Sequence, residues 1–174
     1  MNDQPPTSLS RRTLLRSFGA LGVFGLLASC STDTPVKLTN VTVQTIDGHP
    51  IDLAKIIGKP TAITFWATTC PGCVEEIPRM VALQKKFGPK GVQVIGMAMS
   101  YDSLSQLQAM VKEKNIDYTV WQDKTGGAAA AFGPVRLTPT FFVLDSAGVI
   151  RYQKIGPFDA KRVDQLLTQL SANK

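Results

Sequence analysis

Apolar residues in this chain gather into short, dense runs separated by longer amphipathic stretches. Residues 61–67 (TAITFWA) and 92–99 (VQVIGMAM) are nearly continuous apolar runs of strand length, and the intervening segment ends as a helix near Phe87. A strand, helix, strand order predicts a right-handed crossover joining parallel strands buried on both faces, which puts Met97 and Met99 in the core. Before these, Val41 and Val43 alternate with polar residues up to an Asp47-Gly48 turn signal, and Ile51 and Leu53 resume beyond it, predicting a β-hairpin. Residues 103–106 (SLSQ) have the pattern of a capping box, with Leu104, Leu107 and Val111 on one face of the helix they open. A short strand at 118–121 and a brief helix at 126–132, stopped by Gly133 and Pro134, come next. Residues 140–145 (TFFVLD) and 149–155, separated by a Ser146-Ala147-Gly148 turn, predict a second antiparallel pair. Asp159 is placed to cap a last helix whose Val163, Leu166, Leu167 and Leu170 form one stripe. The sum is an α/β domain with a mixed sheet, helices on both faces and an N-terminal hairpin extension.

The first thirty residues depart from this pattern. Arg11, Arg12 and Arg16 precede an uncharged run at 17–29 that is too short for an ordinary membrane-spanning helix, so residues 1–30 read as an export signal. SRRTLLR at 10–16 resembles the twin-arginine pattern, and LASC at 27–30 resembles the lipobox of bacterial lipoproteins. That resemblance implies lipidation of Cys30, cleavage before it, and a membrane-anchored protein on the periplasmic side. A short polar tether at 31–36 then leads into one folded domain over 37–174.

Composition adds little to the class. With 44% hydrophobic and 18% charged residues, the 174-residue chain is an ordinary globular one. Its net charge of +6 includes no basic run interleaved with aromatics, so nucleic acid is not an expected partner. The single histidine, His49, lies in the hairpin turn with no ligand-bearing neighbours, and no metal or separate cofactor is expected.

The chemistry concentrates in residues 65–78, FWATTCPGCVEEIP. Two cysteines separated by two residues can close a disulfide when the first begins a helix, because one turn brings the sulfurs together. Pro71 favours a first helical turn, which leaves Cys70 at the helix N-terminus, where free N–H groups and the helix dipole favour a thiolate. Cys70 is therefore the expected nucleophile, and Cys73, one turn further in, the residue that resolves the mixed disulfide. Spacing alone leaves an inert structural disulfide open, although so small a loop removes little unfolded-state entropy.

FWATTCPGC, the later TPTFFVLD and the hairpin ahead of them resemble the thioredoxin superfamily, and more narrowly the membrane-tethered thiol–disulfide oxidoreductases of the TlpA and ResA type. The resemblance spans roughly residues 38–170. It implies a thioredoxin-like fold, a cis Pro139 beside the cysteines, and a Thr138 backbone able to pair with an extended substrate segment. It also implies that Glu76, three residues after Cys73, handles protons, whereas Glu75 faces solvent. Thr64 stands where thioredoxins proper carry a buried aspartate. Thr69, Pro71-Gly72 and Leu137 differ from the usual residues around the cysteines, and Trp66 is open to two readings, a border of the substrate site or a core residue. The implied activity is exchange of a Cys70–Cys73 disulfide with protein thiols, as a reductant of the cytochrome c maturation or copper-site assembly type fed by a transmembrane thiol electron donor. A thiol peroxidase is the alternative enzyme, but Ala67 occupies the position three before Cys70 where peroxiredoxins carry threonine. A copper-binding chaperone using the cysteine pair is the alternative outside enzymes.

Overall fold

The computed structural model describes residues 34–172. The export-signal reading of residues 1–30, Cys30 included, lies outside the described residues. Seven strands form one mixed sheet: β1 (Thr42–Thr45), β2 (Pro50–Asp52), β3 (Thr61–Trp66), β4 (Gln93–Ala98), β5 (Thr119–Gln122), β6 (Thr140–Leu144) and β7 (Ile150–Ile155). Four helices accompany them: α1 (Pro71–Phe87), α2 (Leu104–Glu113), α3 (Gly127–Ala131) and α4 (Ala160–Ala172). The strand order is β2-β1-β5-β4-β3-β6-β7. β3 and β4 run parallel at the centre, as the two apolar runs predict, β5 joins them parallel to β4, and the β6-β7 hairpin closes one side antiparallel to β3.

The N-terminal hairpin forms, but its place could not be read locally. β1 pairs antiparallel with β5, with Gln44 opposite Gln122, so the hairpin extends the sheet at the edge away from β6 and β7. His49 lies exposed in the turn, where its carbonyl accepts from Thr45 N–H at 2.8 Å. The folded unit also starts slightly ahead of the expected boundary at Lys37. Pro35 bridges to Val149, and Val36 N–H donates to the Gly148 carbonyl at 3.0 Å.

Because successive strand residues point to opposite faces, the sheet builds two cores. On one face Ala62, Trp66, Val94, Ala98, Phe141 and Val143 meet Ile77, Met80 and Phe87 of α1, Leu107 of α2, and Val163 and Leu167 of α4. On the other, Ile63, Phe65, Ile95, Met97 and Phe142 meet Ala128 and Ala129 of α3 and the 3-10 turn at Leu53–Ile56. Helices thus cover both faces, three on one and a short one on the other. Met97 is fully buried and Met99 packs at the margin of the second core. The capping box of α2 is complete: Ser103 Oγ accepts from Gln106 N–H, and Gln106 Oε1 accepts from Ser103 N–H. Among the described residues no helix is long and apolar enough to cross a membrane.

Trp66 belongs to this framework. It is 2% exposed and packed in the first core, so of the two places the sequence left open for it the core holds and the border of a substrate site does not. Its indole lies against Gly96 of β4: a β-carbon there would stand 3.0 Å from Trp66 Nε1 and 3.0 Å from Tyr118 Cε2. Glycine at this position lets two aromatic rings approach the strand backbone. Gly96→Ala is expected to destabilise the domain by about 1–3 kcal/mol through overpacking. Urea unfolding of the oxidised protein, with an unchanged dependence on denaturant, would register it; an unaltered midpoint would show that the rings yield freely.

Candidate active site

The end of β3 and the start of α1 bring the cysteines together. After Trp66 the chain leaves the sheet, and Cys70 N–H closes a turn onto the Ala67 carbonyl at 3.1 Å. Pro71 then fills the first helical position, where its missing N–H costs nothing. Cys70 is the N-cap of α1, and its Sγ accepts from Cys73 N–H at 3.2 Å. Cys70 and Cys73 form a disulfide across a Cα–Cα separation of 5.2 Å, as their spacing predicts. Cys70 is partly exposed and Cys73 is 3% exposed, packed with Ile77 in the first core. An attacking thiol must meet a partner and a resolving thiol need not, and of the two sulfurs only that of Cys70 lies where a partner can reach it.

The loop before β6 supplies the opposite wall. The Thr138–Pro139 peptide bond is cis, and the Thr138 carbonyl oxygen lies 3.5 Å from Cys70 Sγ. A β-carbon on Gly72 would come within 3.9 Å of Pro139 Cδ, so the second residue between the cysteines faces this loop closely. Leu137, immediately before, is 60% exposed. The departures Thr69, Pro71 and Leu137 therefore all lie on or next to the accessible surface around Cys70.

Glu76 lies one turn beyond Cys73 on the same helix face and is 3% exposed. One carboxylate oxygen accepts from Phe158 N–H at 3.1 Å, and the other faces Thr64 Oγ1 at 3.4 Å. Phe158 is itself held by stacking on Phe141 with ring centroids 4.3 Å apart, so its N–H is presented to Glu76 by the core. Burial raises the Glu76 pKa; the Phe158 and Thr64 hydrogen bonds and the Arg79 charge oppose this without cancelling it. A cavity of about 60 Å³ lined by Gly72, Glu75, Glu76, Arg79 and Pro157 connects this carboxyl toward the surface. It has room for water. Glu75, by contrast, is exposed.

Two contacts at the site escape local sequence reading. Phe158 is 82 residues from Glu76, and Asp102, whose buried carboxylate bonds the loop before Cys70, is 34 residues from its partner Thr68. The one local signal was Asp102 preceding a capping box, and it points to a turn.

The Redoxin family model matches residues 33–170. The thiol-disulfide oxidoreductase ResA of Bacillus thuringiensis subsp. konkukian is 27% identical over 132 residues, covering 76% of this chain and 75% of that protein. The thioredoxin-like protein YneN of Bacillus subtilis is 30% identical over 127 residues, covering 72% and 74%. Among solved structures, a thioredoxin family thiol:disulfide interchange protein from Chlorobium tepidum superposes with a TM-score of 0.64 at 30% identity, covering 75% of this chain and 92% of that one. MTB dsbF, in mixed oxidized and reduced forms, gives 0.68 at 26% identity, covering 79% and 98%.

The raised Glu76 pKa makes a signed prediction for stability. An acid whose folded pKa exceeds its unfolded value stabilises the fold below the unfolded pKa, and that contribution is lost as pH rises through the folded pKa. Glu76→Gln keeps an acceptor for Phe158 N–H and removes the titration. The variant should therefore gain stability relative to the unaltered oxidised protein as pH is raised from about 4 toward 7. Urea midpoints across that range test this; parallel curves would mean that Glu76 ionises without penalty.

Proposed function

The chain belongs to the Redoxin family and is a thiol–disulfide oxidoreductase of thioredoxin-like fold and ResA type, and on that footing we propose how it works and where. Cys70 is the attacking residue and Cys73 the resolving one. The observation that carries this is the unequal exposure of two bonded sulfurs at a helix N-terminus, the outer one beside the Thr138 carbonyl.

In the reduced enzyme the Cys70 thiolate attacks one sulfur of a partner disulfide. A Cys70–partner bond forms, the partner's S–S bond breaks, and its second sulfur leaves as a thiolate that takes a proton from water. The Thr138 backbone, with Pro139, holds the partner segment in an extended conformation against the site. Cys73 then gives its proton to Glu76 and attacks Cys70 Sγ, forming the intramolecular disulfide and expelling the partner's other thiolate. Two electrons have passed from the cysteine pair to the partner. Glu76 suits the proton step because burial keeps its pKa high enough to accept, and the cavity beside Gly72 and Pro157 lets the proton reach solvent.

The protein works on the periplasmic side of a bacterial membrane, held by lipid on Cys30, as a reductant that frees particular protein cysteines for cytochrome c maturation or copper-site assembly. The sequence of residues 10–30 supports the export and anchor, and the resemblance of FWATTCPGC and TPTFFVLD to the TlpA and ResA type supports the direction. Because such a compartment is kept oxidising, a transmembrane dithiol must return two electrons to the Cys70–Cys73 disulfide after each turnover.

Cys73→Ser tests the division of labour. Lacking the resolving thiol, the variant should accumulate a mixed disulfide on Cys70 in membrane fractions from the producing cell, visible on non-reducing gels and absent from Cys70→Ser. Trapping through Cys73 in the Cys70→Ser variant instead would reverse the assignment. Mass spectrometry of the same fraction should find a diacylglyceryl group on Cys30; an unmodified or uncleaved residue there would remove the anchor.

A further inference from the structure

The loop that carries Cys70 is tied down from outside its own helix. β3 and β4 are parallel neighbours, and the turns that leave their ends run side by side: Cys70 N–H bonds to Ala67, Asp102 N–H bonds to Met99 at 3.2 Å, and Met99 N–H bonds to Trp66 at 3.0 Å. Across this seam the Asp102 carboxylate, on a residue only 4% exposed, accepts from Thr68 N–H and from Thr68 Oγ1, both at 2.9 Å. Each carboxylate oxygen therefore receives a donor, and each donor belongs to the residue two before Cys70.

The tether does not end at Asp102. Its main-chain carbonyl accepts from Gln122 Nε2, and Gln122 Oε1 accepts from Gln44 Nε2. Gln122 is 4% exposed on β5, opposite Gln44 of β1 in the sheet. A short chain of polar side chains thus runs from the N-terminal hairpin to the loop before the cysteines. Buried polar groups need partners, so each link constrains its neighbours.

We propose that Asp102 is a positioning residue for Cys70: by gripping Thr68 at two points it holds the 67–70 turn, and the sheet edge, through Gln44 and Gln122, holds Asp102. The proposal rests on the reading of Cys70 as the attacking residue. Two effects of opposite sign compete at the sulfur. A carboxylate near a thiolate disfavours it, so removal of the charge by itself would lower the Cys70 pKa. Loss of the grip lets Cys70 drift from the N-cap position in which its sulfur accepts from Cys73 N–H, which raises that pKa. Positioning requires the second effect to exceed the first.

Asparagine separates the two. In Asp102→Asn the side-chain oxygen still accepts from Thr68 N–H, and the amide N–H can donate to Thr68 Oγ1, so the tether survives without the charge. Asp102→Ala loses both.

The experiment follows alkylation of the reduced full chain by iodoacetamide against pH, with the modified cysteine identified by mass spectrometry. Cys70 should react first in the unaltered chain. In Asp102→Ala its pKa should rise, and a thiol whose pKa lies above 7 loses about tenfold in thiolate fraction at pH 7 each time that pKa climbs by one, so the pH at which alkylation reaches half its plateau shifts upward. Asp102→Asn should stay at or below the unaltered pKa, and Thr68→Val, which keeps only the backbone bond, should fall between the unaltered chain and Asp102→Ala. If Asp102→Ala does not fold, Thr68→Val against Asp102→Asn makes the same comparison. Equal downward movement of the Cys70 pKa in Asp102→Asn and Asp102→Ala would reduce Asp102 to a charge and overturn the proposal. So would unchanged profiles with only a lower melting temperature, which is what a purely structural residue gives. Cys73 reacting first in the unaltered chain would instead overturn the assignment of Cys70, and positioning with it, an outcome visible before any Asp102 variant is made.

Discussion

The Cys73 N–H points at the sulfur of Cys70 from the first turn of α1, and the rest of the site is arranged around that contact. It exists because Cys70 is the N-cap: the residue before the helix offers its side chain to N–H groups that have no carbonyl within the helix. Pro71 enforces the first turn, and β3, buried on every residue, fixes where that turn begins. A sulfur in this position meets N–H donors and the positive end of the dipole, the surroundings that favour a thiolate. The same geometry hides Cys73 behind it. One local arrangement thereby leaves one sulfur within reach of a partner and shelters the other.

The larger architecture keeps that arrangement in register with three groups from distant parts of the chain. The Thr138 carbonyl comes from the loop before β6, the Phe158 N–H from the approach to α4, and the Asp102 carboxylate from the turn after β4. Each arrives at the same end of the sheet because β3 pairs parallel with β4 and antiparallel with β6. Glu76 shows what this convergence achieves. Left in the core without partners, a carboxyl would be costly, yet Phe158 and Thr64 hold it there while burial keeps its proton affinity high.

Much of this was legible in the sequence because it is local. Strand-length apolar runs, the SLSQ cap, the Asp47-Gly48 turn and the C-P-G-C spacing each act over a few residues, and each appears in the structure as read. What stayed hidden is long-range or two-faced. The hairpin's pairing with β5 depends on edge complementarity that no local pattern records. Trp66 was ambiguous because β3 is buried on both faces, and such a strand has no polar side to show which of its residues look outward. Asp102 reads as an ordinary turn residue until the fold sets Thr68 against it.

The reduction potential of the Cys70/Cys73 couple tests the central claim, that this geometry makes an electron donor to protein disulfides. Equilibrated against glutathione or dithiothreitol and read by thiol trapping, the pair should show a potential near or below about −230 mV, toward thioredoxin on the known scale. A value near about −120 mV would contradict the account and identify an enzyme that forms disulfides instead.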